Sequence, residues 1–160
     1  MANSKRLDPV AEHERDKYTR MWADASYRVN SPGLNAAPEG FKKLGCSSGE
    51  TLIDYGCGEA RSTAWFKSQG LDAQGVDLVQ LKPDVIQACL WDLPKMSSDY
   101  AYCADVMEHL PEDKVDAVIA GIASRTTKAG YFTVATVDDV HGKKIGETLH
   151  LTVKPIERWQ

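Results

Sequence analysis

Several features that would assign a protein quickly are missing from this chain. Its four cysteines, at 46, 57, 89 and 103, include no CxxC pair, which argues against a zinc ribbon and against a disulfide framework. The four histidines, at 13, 109, 141 and 150, form no HExxH or similar pattern, so spacing predicts no metal centre. No apolar run approaches the roughly 20 residues needed to span a bilayer. The opening stretch MANSKRLDPVAEHERDK is charged where a secretory signal would be apolar. The expected setting is therefore cytoplasmic, away from membranes. Basic charge is not in excess either: 19 Lys and Arg face 23 Asp and Glu, for a net charge of −4. A surface built on broad attraction to phosphates is not expected, and neither is a nucleic-acid partner.

What is present is an alternation of short apolar runs and amphipathic segments within 160 residues, 42% of them hydrophobic. That length fits one domain over 1–160. Residues 1–48 read as an N-terminal helical segment, 49–142 as an α/β core, and 143–160 as a short C-terminal segment. A helix is expected over 9–25, capped by Asp8 with Pro9 in its first turn. Val10, Glu14, Tyr18, Met21, Trp22 and Ala25 would share one face. The stretch SYRVNSPGLNAAPEG, with two prolines and two glycines, reads as loop, followed by a short helix at 39–45. Strands are expected at 51–55, 73–77, 84–90, 100–106 and 131–137, with helices over 59–69 and from Asp113 to Thr126. Such alternation predicts βαβ units and a mainly parallel sheet with helices on both faces. The binding crevice then lies at the carboxyl ends of the strands, where the winding reverses.

TLIDYGCGEAR, residues 51–61, is the most informative stretch. An apolar strand runs into Asp54, turns through Gly56-Cys57-Gly58 and becomes helix-forming. A dinucleotide fold asks for GxGxxG, but Arg61 stands at the third glycine position. Glu59 would also face a pyrophosphate unfavourably. The acid before the glycines suits a cofactor bearing an amino group, which favours S-adenosylmethionine over NAD. Asp77, ending GVDLV, can accept hydrogen bonds from both hydroxyls of a ribose. Asp92, in CLWDLP, is placed to accept from an adenine amine. Leu78, Trp91 and Leu93 are candidate apolar walls, although Trp91 equally suits plain core.

Taken together, LIDYGCG, GVDLV, LWDLP and DVMEHLP resemble the class I S-adenosylmethionine-dependent methyltransferases over residues 51–137. The resemblance implies a Rossmann-like three-layer α/β/α sandwich with strand order 3-2-1-4-5. It also implies that Asp54, Gly56, Cys57 and Gly58 line the methionine part of the cofactor. Asp77 would hold the ribose with Leu78 beside it, Asp92 and Leu93 would meet the adenine, and Asp105 with Val106 would form the floor under the sulfonium. Glu108 and His109 would face the substrate, His109 being the favoured general base although a histidine there is often structural. The segment KYTRMWADASYRVNSPG resembles an aromatic and basic lid, with Tyr18, Trp22, Tyr27 and Arg28 as candidates. An arginine could pair with the methionine carboxylate and aromatic faces favour a sulfonium. Tyr18 and Trp22 would equally pack on the sheet.

Absences again narrow the acceptor. No NPPY or DPPY follows the fourth strand and no Pro-Cys pair occurs, which argues against amino or C5 methylation of DNA bases. A small molecule or a protein side chain is the expected acceptor. A catalytically silent S-adenosylmethionine-binding module that serves a partner is the alternative. The family's C-terminal β6/β7 hairpin finds no clear counterpart after residue 142, where ETLHLTV is the only extended-looking piece. The edge YFTVATV is therefore expected to meet a partner chain or a second copy.

Overall fold

The structure is a computed structural model that describes residues 7–160. The first six residues of the charged opening stretch lie outside the described residues. Its centre is a five-stranded sheet in the order β3-β2-β1-β4-β5, all pairings parallel. The strands are β1 (Thr51–Tyr55), β2 (Asp72–Asp77), β3 (Ile86–Gln87), β4 (Ser98–Ala104) and β5 (Thr126–Thr133). The helices are α1 (Pro9–Ala23), α2 (Pro32–Leu44), α3 (Arg61–Ser68) and α4 (Glu112–Ala123). The Rossmann-like arrangement and strand order anticipated from the sequence are both present.

Side-chain alternation along the strands explains the three layers. Leu52, Tyr100, Tyr102 and Ala104 point to the face covered by α2 and α3, where Ala37, Phe66 and Leu71 complete the core. Ile53, Tyr55, Ala101 and Cys103 point to the other face and pack on Val115, Val118 and Ile122 of α4. Both faces of the central strands are thus buried. The reversal of winding falls between β1 and β4, whose registers pair Asp54 with Tyr102.

Three elements differ markedly in extent from the sequence reading, and a fourth, the first helix, differs in the face it buries. The expected loop before residue 39 is helical, because Ser31 accepts from the Leu34 amide and Pro32 fits the first turn. Pro38 lies within that helix. The helix can lie directly on the sheet because a Cβ at Gly40 would stand 2.8 Å from the Tyr102 ring. Packing therefore outweighs the proline's lost hydrogen bond. Strand three shrinks from 84–90 to two residues, its remainder turning into the segment Cys89–Leu90–Trp91.

Strand five begins at Thr126 rather than 131, in register with Ser98 through Ala104 of β4. The edge strand is TTKAGYFT, not the more apolar YFTVATV. Lys128 stands on it and pairs with Glu50 and Asp99, and a lysine on an edge discourages pairing with another chain. Finally, α1 buries Ala11, Glu14, Lys17 and Met21, while Val10 is 43% exposed. The apolar stripe is rotated because Lys17 is buried, paired with Glu14 at 2.6 Å and donating to the Thr148 carbonyl at 3.1 Å. The Asp8 cap is as expected, accepting from the Val10 and Ala11 amides at 2.9 Å. Beyond β5 the described residues form no further strand; ETLHLTV is irregular and lies along α1 and the segment after β4. No described helix is long and apolar enough to cross a membrane.

Candidate active site

A cavity of about 340 Å³ opens at the carboxyl ends of β1, β2 and β4. Its floor is the turn after β1. Gly56 and Cys57 donate to the Val76 carbonyl at 2.7 and 3.2 Å, which ties the turn to β2. Gly56 (φ 73°) and Gly58 (φ 53°) adopt left-handed backbone, which side chains with a Cβ rarely accept. A Cβ on Gly56 would stand 2.4 Å from Val106, and one on Gly58 would stand 2.7 Å from Trp22. The glycines therefore let Val106 and Trp22 close on the turn. Cys57 behaves differently from its neighbours. Its thiol packs toward Gly75 with Ala60 and Val85, and burial pushes its pKa well up. Its side chain is a buried packing group.

Asp54 and Asp77 stand at adjacent strand ends. Asp54 is buried and accepts from Ser62 Oγ at 2.6 Å and Thr63 Oγ1 at 2.7 Å. Burial raises its pKa to about 6 against those two stabilising bonds. Asp77 accepts from the Gly58 amide at 2.8 Å and the Val79 amide at 2.9 Å, and burial raises its pKa too. Asp77 takes one of these bonds on each oxygen and keeps lone-pair capacity on both, whereas both hydroxyl bonds of Asp54 fall on Oδ2. Asp77 thus couples the glycine turn to the end of β2 while facing the cavity.

At the end of β4, Asp105 takes φ 53°, a left-handed conformation that costs roughly 1–2 kcal/mol for a residue with a Cβ. Its amide donates to the Thr133 carbonyl at 2.9 Å, and Thr133 Oγ1 returns a bond to Asp105 Oδ1 at 2.7 Å. The kink sends the chain into a 3₁₀ turn, Met107–His109, and places Glu108 fully inside. Glu108 Oε1 accepts from the Ala135 amide at 3.1 Å, but its Oε2 is buried without a hydrogen-bond partner. Burial raises its pKa to about 7. His109 Nδ1 lies 2.6 Å from the Tyr18 hydroxyl and 3.1 Å from the Leu149 carbonyl. Burial lowers its pKa to about 3, so it is neutral at ordinary pH. His150 joins the group from the C-terminal segment, its ring edge-on to His109 at 4.7 Å. Glu108, His109 and His150 offer ligand atoms within 4.8 Å of one another.

Most residues singled out in the sequence line this cavity: Tyr18, Trp22 and Tyr27 from the N-terminal side, then the glycine turn, Asp77, Leu78, Asp105, Val106, Glu108 and His109. Trp22 and Tyr27 stack edge to face at 5.0 Å, and Tyr27 meets His141 at 5.9 Å, forming an aromatic cover over Gly58. Three candidates are elsewhere. Asp92 is exposed and, with Leu93, stands outside the lining; Leu93 packs on the α4 core. The short β3 turns the chain early, so Cys89, Leu90 and Trp91 line the cavity in their place. Trp91 also donates to Asp8 at 2.8 Å, joining the cavity wall to the α1 cap. Arg28 is exposed and outside the lining, whereas Arg61 is in it, held to Glu59 at 2.7 Å.

The sequence reading missed Leu149 and His150, which reach the cavity from a segment without strand or helix. Their only sequence signal is a histidine between two leucines in LHL.

No curated protein sequence is detectably similar to this chain. Solved structures are. The 1,6-didemethyltoxoflavin N1-methyltransferase of Burkholderia thailandensis, with 1,6-didemethyltoxoflavin and S-adenosylhomocysteine bound, aligns with a TM-score of 0.67 at 20% identity, over 87% of this chain and 68% of that one. A mycolic acid cyclopropane synthase complexed with S-adenosylhomocysteine and CTAB aligns with a TM-score of 0.60 at 17% identity, over 88% and 61% of the two chains. The magnesium protoporphyrin IX methyltransferase of Synechocystis PCC 6803, with S-adenosylmethionine bound, gives 0.54 at 20% identity, over 78% and 74%. At these identities the likeness is one of fold. The family itself is carried by the sequence: residues 21–158, from the aromatic cover through the glycine turn to the C-terminal segment, match the model described as a methyltransferase domain, and the chain belongs to that family.

Proposed function

We propose that the protein is an S-adenosylmethionine-dependent methyltransferase that acts on a small molecule or a protein side chain. The observation that carries this reading is the chemistry of the cavity. Asp54, Asp77, Asp105 and Glu108 converge on a lining in which Arg61 is already paired with Glu59. An acidic, partly apolar chamber favours a cationic sulfonium and disfavours a pyrophosphate. The left-handed glycine turn and the half-buried Asp77 carboxylate, which line the cavity together, suit a nucleoside at the β1–β2 end.

Bound there, S-adenosylmethionine supplies a methyl group already activated by its sulfonium. Asp77 would hold the ribose hydroxyls beside the Gly56–Gly58 turn. Trp22 and Tyr27 would cover it and exclude water. Glu108 and His109 stand at the opposite end, where the acceptor has to be oriented. His109 is neutral, and its Nδ1 is engaged by Tyr18 and Leu149. It can receive a proton only through its other ring nitrogen, and its low pKa makes it a weak base. Glu108, with a carboxyl pKa near neutrality, is the better matched group for proton transfer.

Calorimetric titration with S-adenosylhomocysteine, S-adenosylmethionine and NAD tests the cofactor. Binding of the adenosyl ligands without NAD is expected, and no binding of either adenosyl ligand would sink the proposal. A labelled-methyl transfer screen over small molecules and cell extracts then tests catalysis. A protein that binds the cofactor and never transfers the label would be the silent module instead.

A further inference from the structure

We infer that Glu108, His109 and His150 form a binding site for a first-row divalent transition-metal cation at the acceptor end of the cavity. The three side chains come from two segments distant in sequence, and their ligand atoms lie within 4.8 Å of one another. Ligands around a small cation with bonds of about 2.0–2.2 Å stand roughly 3–4 Å apart. Small rotations of these side chains therefore close the set.

The hydrogen bonds around the cluster orient it as ligands are oriented. His109 Nδ1 is 3.1 Å from the Leu149 carbonyl, and His150 Nδ1 is 2.6 Å from the Val137 carbonyl. A carbonyl can only accept, so the His150 contact calls for the proton on Nδ1; His109 matches it when its Nδ1 donates toward the Leu149 carbonyl and the Tyr18 oxygen at 2.6 Å, the Tyr18 hydroxyl itself donating to Leu149. Each imidazole is then left with its lone pair on Nε2. A backbone carbonyl on the far nitrogen is the usual outer support of a metal-binding histidine. Glu108 completes the pattern: the Ala135 amide holds one carboxylate oxygen and the other is buried with no partner. A fully buried carboxylate oxygen without a donor is costly, and a cation would supply what the protein does not.

Two imidazoles and one carboxylate favour Mn²⁺, Fe²⁺, Co²⁺ or Zn²⁺ over Mg²⁺, which prefers oxygen ligands. Three protein ligands leave further coordination positions, and the cluster borders the cavity. An acceptor presenting a hydroxyl or carboxylate oxygen would be drawn to those positions. That last step rests on the methyltransferase reading; the cation site itself rests only on the geometry of these residues.

The test is a titration of chelator-treated protein with Co²⁺, followed by its visible absorption, and with Zn²⁺ and Mn²⁺ by calorimetry. One ion per chain is expected. Glu108→Gln and His150→Ala should each weaken it by roughly 10-fold or more, while His13→Ala, remote from the cluster, should leave it unchanged. His150 lies near the surface, so its variant keeps the test meaningful if Glu108→Gln folds poorly. No saturable binding at millimolar cation, or binding that survives His150→Ala, overturns the inference. S-Adenosylhomocysteine titrated into the same samples separates the readings: adenosyl binding without cation binding refutes only this site.

Discussion

At the β1–β2 end of the cavity, Asp77 accepts from the Gly58 and Val79 amides and Asp54 from two hydroxyls. At the β4 end, Glu108 accepts from one amide and leaves its other oxygen buried and bare. The first end is finished by the protein: turn, strand and acids hold one another in a shape ready for a ligand. The second end is left with an unmet need. That contrast suits a division of labour in which one end holds a constant cofactor and the other is completed by what arrives.

The strongest way to break the comparison is Gly56→Ala. The left-handed backbone costs roughly 1–2 kcal/mol and the clash with Val106 about 1–3 kcal/mol more. Chemical denaturation should show that loss, and adenosyl-ligand affinity should fall with it. A fully stable variant would mean the turn is looser than its contacts imply. Next comes Asp77→Ala, which should weaken S-adenosylhomocysteine by roughly 1.5–3 kcal/mol, the range for hydrogen bonds to charged groups. Unchanged affinity in calorimetry would place the ribose elsewhere.

Glu108→Gln sharpens the comparison from the other end. In the folded protein burial holds the Glu108 carboxyl near pH 7 rather than its ordinary 4.5. The native state therefore binds more protons than the unfolded chain between those values, and this residue's contribution to stability falls as pH rises through them. In cation-free buffer the variant should exceed the parent above pH 7 by on the order of 2 kcal/mol, with the difference fading below pH 4.5. His109 acts in the opposite sense. Its pKa falls from 6.5 to about 3, so its contribution is lost as pH drops through that window. Denaturation curves across pH 4–9 would show both slopes, and a parallel pair of curves for parent and variant would refute the assignment. The smallest effect is expected for Tyr18→Phe, which removes the hydroxyl beside His109 Nδ1 at a cost of about 0.5–1.5 kcal/mol with little change in adenosyl affinity. A large loss of that affinity would show that the two ends are coupled.

The elements legible in the sequence were those governed by local signals. The Asp8 cap, the Gly56-Cys57-Gly58 turn and the apolar run of β1 appear where their residues place them, while β4 lies two residues earlier than read, at Ser98–Ala104 rather than 100–106. The α2 helix was hidden because Pro32, Gly33, Pro38 and Gly40 read as loop. Its burial on Tyr102 and Tyr131 is a long-range contact that no local pattern announces. Strand five slid because TTKAGYFT carries little apolar signal; register with β4 selects it. The lining roles of Cys89 and Leu90 depended on how early β3 turns, which its composition does not state.

Chemistry followed the same division. Residue order alone was enough to place acids at the ends of parallel strands beside a glycine turn, because backbone periodicity and steric freedom act over a few residues. It could not place His150 against Glu108 and His109, or rotate α1 until Lys17 was buried and Tyr18 met His109. Those juxtapositions join residues far apart in the chain, and they arise only when packing of the whole fold fixes which side chains share a desolvated space. The family was written in the local pattern; the character of the acceptor end was set by the contacts that close over it.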